Sequence, residues 1–375
     1  MEFIFAVNNN CTFCFLQDIK AKKYLIKNLF FLVFSLIVGL ISLFTISCSD
    51  NSNKEITRGV YFWKTNFSLS TAELNWIKET EIKKLYVRFF DVDWNPNINT
   101  AVPVGDVSIS TKKIAGVDII PVVFITNRTL INLPDSLISE LSNNIYKKIF
   151  TKLSIFENPI VKEIQLDCDW TLTTKNKYFA LIEKLKQSCK ENKIEITATI
   201  RLHQVKFINK TGVPPIKRGM LMFYNMSDVS DIRTINSIFD KDIAKRYLVN
   251  FDKYPLELDV VLPAFSWVCW FRNGKLKNLI NDVRAKDLES NVNFLKEDKN
   301  IFRATKEFYL MGNYILAGDY LRTEETDFNT TLEAAELIAP HIKNKKLNVS
   351  IYHLSGEIIK NYDKDNFEDI IDCFN

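Results

Sequence analysis

Two acids one residue apart, Asp167 and Asp169, lie in the stretch Ile164-Gln165-Leu166-Asp167-Cys168-Asp169-Trp170-Thr171. In an extended chain side chains alternate between two faces, so both carboxyls share a face with Glu163 and Gln165. Ile164, Leu166, Cys168 and Trp170 form the other face. Neighbouring carboxyls of this kind do acid–base work: one carries a proton to a leaving oxygen, and the other orients or stabilises what is left. A second segment, Ile194–His203, repeats the pattern, with Glu195, Thr197, Thr199, Arg201 and His203 opposite an apolar face. A third sets Tyr86 and Arg88 opposite Leu85, Val87 and Phe89, and ends near Asp91 and Asp93. Charges turned inward are costly unless paired, so Arg88, Asp167, Asp169 and Arg201 are expected to form one network. That network is either a functional site or a set of ion pairs that only completes a core.

The elements that must position these residues alternate. Short β-branched and aromatic runs are separated by amphipathic stretches, the pattern of an α/β protein. Strands are expected at 59–66, 84–90, 117–125, 163–169, 194–203, 220–225, 258–265 and 347–354. Helices are expected at 71–79 (capped by Ser70), 143–153, 175–192 and 331–345, with another helical stretch at 278–295. Eight strands over about 300 residues predict a (β/α)8 TIM barrel, whose sites lie at the C-terminal strand ends. A doubly wound open sheet is the alternative, but no Gly-rich phosphate turn follows the first strand. The barrel is expected to fill residues 58–375 as a single domain, with an insertion near 300–330 between strands 7 and 8.

At the strand ends, Asp167-Cys168-Asp169-Trp170 and Met222-Phe223-Tyr224-Asn225 together resemble glycoside hydrolase family 18, the chitinase-like barrels. That family carries D-G-x-D-x-D-x-E on strand 4 and Met-x-Tyr-Asp on strand 6. The resemblance spans roughly residues 58–355 and implies a barrel that binds or hydrolyses carbohydrate. It departs from the pattern where Ile164 replaces the first Asp, Asn225 the last Asp, and Thr171 the Glu that serves as proton donor. Moving the roles back by two residues would make Asp169 the acid, Asp167 its partner and Tyr224 a substrate-orienting group. Around them, Arg88, Asp91, Trp94, Gln165, Arg201, His203, Asn225, Trp267, Trp270 and Tyr352 are the expected sugar-binding residues. The tryptophans and Tyr352 are candidates for stacking on sugar faces; each could equally be ordinary packing.

The remaining composition narrows the class. A net charge of +4 on 375 residues is no nucleic-acid signature. Seven cysteines are too few for a disulfide scaffold, and the four that follow Cys48 (Cys168, Cys189, Cys269 and Cys373) are scattered without zinc-ligand spacing. With only three histidines, no metal and no cofactor is expected. The uncharged run from Leu29 to Ile46 follows Lys20, Lys22, Lys23 and Lys27 and precedes Cys48. A basic region, an apolar core and a small-residue exit make an export signal; the run is also long enough for a retained anchor helix. Thr45-Ile46-Ser47-Cys48 resembles the lipobox of bacterial lipoproteins, which implies acylation of Cys48. The organisation expected is a signal segment at 1–47, a lipidated tether at 48–57 and then the barrel. The protein is expected to be a monomer held in the bacterial cell envelope by a lipid anchor, with a glycan as partner. A catalytically inactive glycan-binding or scaffold lipoprotein is the alternative.

Overall fold

The computed structural model describes residues 54–375 except Ile160. The lipobox and the apolar run before it lie outside the described residues. Eight parallel strands form a closed barrel: β1 (Glu55–Phe62), β2 (Lys84–Asn95), β3 (Asp118–Ile125), β4 (Glu163–Asp167), β5 (Glu195–Arg201), β6 (Arg218–Met222), β7 (Glu257–Pro263) and β8 (Lys346–Tyr352). Each pairs with the next, and β1 closes the ring by pairing with both β8 and β2. Asn53–Asn375 form one compact unit. Among the described residues no helix is long and apolar enough to cross a membrane.

The barrel is the architecture that the alternating pattern predicts, with strand limits shifted by a few residues. β1 begins four residues earlier than expected, because the polar run Glu55-Ile56-Thr57-Arg58 hides a strand whose backbone is paired to β8. The helix Thr71–Glu79 starts where Ser70 predicts, and Ser70 and Glu73 form a reciprocal capping box. The helix expected at 331–345 spans Phe328–Ile338 and gives way to a 3-10 turn containing Pro340, which cannot continue an α-helix.

Between β7 and β8 the structure departs further. The stretch 278–295 is not one helix. It holds the end of a strand, Lys275–Asn281, a short helix, Ala285–Glu289, and the start of another strand, Phe294–Lys296. The insertion therefore starts at Ser266, earlier than expected. It builds a five-stranded sheet in the order Lys275–Asn281, Ser266–Arg272, Tyr320–Glu325, Ile301–Ala304, Phe294–Lys296. Asn273 (φ 51°) and Gly274 (φ 70°) form the two-residue turn between its first two strands. An Asn-Gly pair with both φ positive is the strongest local hairpin signal, and it overrides the helical spacing of the apolar residues.

Two apolar regions follow from strand alternation. Ile164, Leu166, Cys168, Trp170, Ile196, Ala198 and Ile200 join the large core between strands and helices. The inward residues Tyr61, Tyr86, Val122, Met220, Met222 and Tyr224 form a smaller core inside the barrel. Beneath it the lumen is charged. Glu163 accepts hydrogen bonds from Lys84 Nζ (2.7 Å), Thr197 Oγ1 (2.8 Å) and Arg218 (3.3 Å). Asp259 meets Arg218 at 3.0 Å and accepts from the Asn348 backbone at 2.8 Å.

Burial pushes the Asp259 carboxyl up to about 7, against the opposing pull of Arg218. Between the ordinary carboxylate range and that value the folded chain holds a proton that the unfolded chain releases. Its contribution therefore makes stability fall as pH rises through the window, by up to about 1.4 kcal/mol per pH unit. Urea denaturation from pH 4.5 to 7 is expected to show this decline in the wild type and a shallower one in Asp259→Asn; parallel curves would refute it.

Candidate active site at the barrel mouth

The C-terminal ends of the strands surround an open cavity of 260 Å³. Asp167, the last residue of β4, and Asp169 beyond it stay on the inward face, and both meet Arg201 at the end of β5. Arg201 donates from Nε to Asp169 at 2.5 Å and from its guanidinium to Asp167 at 3.3 Å. Thr199 Oγ1 donates to Asp167 at 2.5 Å. The two carboxyls differ in setting: the Asp167 side chain is 4% exposed and that of Asp169 50%. Burial raises the proton affinity of Asp167, with Arg201 acting against it.

A second ion pair forms the opposite wall. Arg88 donates from Nε to Asp91 Oδ1 at 2.7 Å, with a second contact to Oδ2. Residues three apart in a regular strand point to opposite faces. Here a bulge in β2 between Arg88 and Phe90 turns both inward. Beyond the bulge β2 runs past the barrel rim and pairs antiparallel with Thr100–Val104. Gly105 (φ +59°) follows, and a Cβ there would lie 3.0 Å from the Arg88 guanidinium. The absence of a side chain lets this turn close over the pair.

Aromatic rings complete the cavity. Trp63, Tyr224, Phe265, Trp267 and Tyr352 line it with Phe124, Met222 and Asn225. Tyr352 packs against Tyr224 (5.2 Å), Phe265 (5.3 Å) and Trp63 (5.9 Å), and the Arg88 guanidinium lies over Trp63 at 5.6 Å. The Tyr224 hydroxyl is buried and its pKa is raised well above the ordinary value by that burial. Asn225 is exposed and left-handed at φ 56°, where β6 has ended. Trp267 belongs to the inserted sheet. Its Nε1 donates to Glu324 at 2.7 Å. Glu324 and Arg322 are both fully buried, paired at 2.6 Å, and Ser237 also donates to Glu324.

Thus Arg88, Asp91, Asp167, Asp169, Arg201, Tyr224, Asn225, Trp267 and Tyr352 come together as the sequence predicts. Four expected residues do not reach the cavity wall. Trp94 is buried in the core on the helix side. Trp270 points to the opposite face of the inserted sheet from Trp267's cavity side, within that sheet's own core, and donates to Asp319 at 2.8 Å. Gln165 lies deeper in the lumen, where it accepts from the Tyr61 hydroxyl at 2.7 Å. His203 falls beyond the end of β5, exposed on the short helix Leu202–Lys206. Trp63, Phe124, Met222 and Phe265 line the cavity unannounced. For Trp63 the signal was present: Gly59, Tyr61 and Trp63 follow the same alternation that selects Arg201.

Thr171, at the resemblance's proton-donor position, does not line the cavity. Its hydroxyl bonds Thr173 and Thr174 at 3.0 and 3.3 Å. Among the described residues no group of three or more His, Cys, Asp or Glu could hold a metal ion.

In fold the barrel is similar to solved chitinase-like (β/α)8 structures. The GH18 chitinase ChiB from the chitin utilization locus of Flavobacterium johnsoniae superposes with a TM-score of 0.51 at 14% identity, covering 86% of this chain and 94% of that one. The spore cortex-lytic enzyme SleL of Bacillus megaterium QM B1551 gives 0.50 at 15% identity, covering 86% and 75%. At these identities the likeness establishes the fold. No protein-family model and no curated protein matches the sequence.

The Arg322–Glu324 pair holds Trp267 in place from below. Arg322→Met would leave a buried carboxylate without its cation and is expected to cost about 3–5 kcal/mol. Urea unfolding measures it, and a change below 1 kcal/mol, roughly the scale of an exposed pair, would show that the pair is not structural.

Proposed function

We propose that the protein is a glycosidase-like barrel that binds a carbohydrate chain at its mouth and cleaves it with the β4 carboxyls. The observation that carries this reading is the cavity itself. It places three carboxyls and two guanidiniums, which bond hydroxyls, beside a wall of aromatic rings, which stack on the apolar faces of sugars. Asp167 and Asp169 would divide the acid and partner roles. The sequence alone suggested Asp169 as the acid; burial of Asp167 favours Asp167 as the proton carrier, with Asp169 held by Arg201 at the open end. Tyr224 would orient the substrate from the floor.

Chito-oligosaccharides are the first probes, since a chitinase is among the structures that share the fold. Trp63→Ala is expected to weaken binding about tenfold or more in calorimetric titration, on the scale of a lost stacking contact. Asp167→Asn and Asp169→Asn should each abolish product release while leaving the circular dichroism spectrum unchanged. Full activity of either variant would overturn its assignment.

One observation favours a second reading, a glycan-binding barrel without turnover: Thr171 supplies no acid and lies off the cavity. Binding without products, across chito-oligosaccharides and other glycans, would establish it.

We further propose that Cys48 is acylated and tethers the barrel to a membrane of the bacterial cell envelope. Cys48→Ser should move the protein from the membrane fraction to the soluble fraction of cells; unchanged fractionation would exclude the lipid anchor.

A further inference from the structure

The end of the barrel opposite the mouth has a different electrostatic character. Four hollows lie there, between the loops that enter the strands and the ends of the surrounding helices. Together they are lined by eleven lysines and six acids. The mouth cavity has no lysine, and its two arginines face three aspartates. A chain of nearly balanced charge is thus polarised along the barrel axis.

Two ordinary explanations for the lysines fall short. Lysines often complement helix C-termini, but Lys112, Lys193, Lys217, Lys343 and Lys345 sit outside the helices, in the segments that lead into strands. Nor are they spent on neighbours: these five are exposed, and none appears in an ion pair among the described residues, whereas Lys162 and Lys346 on the same end pair with Asp118 and Glu55.

The chain enters the barrel at the same end. β1 begins there, at Glu55, in register with Lys346 at the start of β8. Cys48 precedes Glu55 by seven residues, a reach of about 25 Å when fully extended. The barrel strands next to it, of seven or eight residues and tilted as in every such barrel, rise roughly 20 Å along the axis before the rim loops are added. An anchor at Cys48 would therefore attach close to the base and far from the mouth.

We infer that the lysine-rich base is a docking surface for an anionic phospholipid bilayer, holding the glycan-binding mouth away from the membrane. This rests on the lipid-anchor reading only for orientation. The attraction itself is a property of the barrel, since lysines close to an anionic surface each add to binding and the effect decays within a Debye length.

The test uses the chain from residue 49 onward, which contains the complete compact unit and lacks Cys48. It is mixed with vesicles of phosphatidylcholine containing 30% phosphatidylglycerol, or of phosphatidylcholine alone, and sedimented. Binding is expected only to the anionic vesicles, and about tenfold weaker in 0.5 M salt. Reversal of Lys112, Lys193, Lys217 and Lys345 to Glu should abolish it, while reversal of Lys299 and Lys306, in turns of the inserted region, should not. Circular dichroism monitors folding of each variant. Equal binding to both vesicle types, no binding to either, or binding that survives the base reversal would overturn the docking surface. None of these outcomes bears on acylation, which the Cys48→Ser fractionation tests separately.

Discussion

The interaction on which the rest of this molecule depends is the pairing of charge inside a closed sheet. A barrel of eight short strands cannot be filled by aliphatic side chains alone when its inward positions include Lys84, Arg88, Glu163, Asp167, Arg201, Arg218 and Asp259. Each of those charges would cost several kcal/mol if left bare in the lumen. The structure meets the cost by cross-strand pairing: Lys84 and Arg218 serve Glu163 and Asp259 at the base. Arg201 serves Asp167 and Asp169 near the mouth. The register of β4 and β5 is thereby pinned, because a one-residue slip would send Glu163, Asp167 and Asp169, or Arg201, into the apolar sheath.

Between the two charged levels lies the aromatic core of Tyr61, Tyr86 and their neighbours. Tyr61 and Tyr86 stack at 4.7 Å, and their hydroxyls reach Gln165 and Asn348. The upper network lines the mouth cavity, and the base network does not. The distinction is what makes the upper network chemically useful. Its carboxyls are fixed by guanidiniums yet remain accessible to a ligand, and one of them is buried enough to hold its proton more tightly than a free aspartate.

Strand alternation made much of this legible. The inward faces of β2, β4 and β5 follow from counting by two, and so does the convergence of Arg88, Asp167, Asp169 and Arg201. Three of the four expected residues that do not reach the cavity wall share a cause. Trp94, Trp270 and His203 lie beyond a bulge, in an inserted sheet, or past a strand end, where counting by two no longer tells which way a side chain points. Gln165 is on the correct face but one layer too deep, and periodicity carries no information about depth. The inserted sheet itself was obscured because its strands contain apolar residues at spacings that also suit a helix, while the decisive signal was the two-residue turn Asn273-Gly274.

The sequence by itself determined the class of fold, the inward faces of β2, β4 and β5 and the charge types those faces carry, because all three follow from short-range periodicity and from the cost of burying unpaired charge. Tertiary structure decided the depth of each side chain in the lumen, the bulge that sets Arg88 beside Asp91, the arrival of Trp267 from a sheet inserted after β7, and the gathering of lysines from separate loops onto one end. Those features depend on contacts between residues distant in the chain, whose positions are set only when the barrel closes.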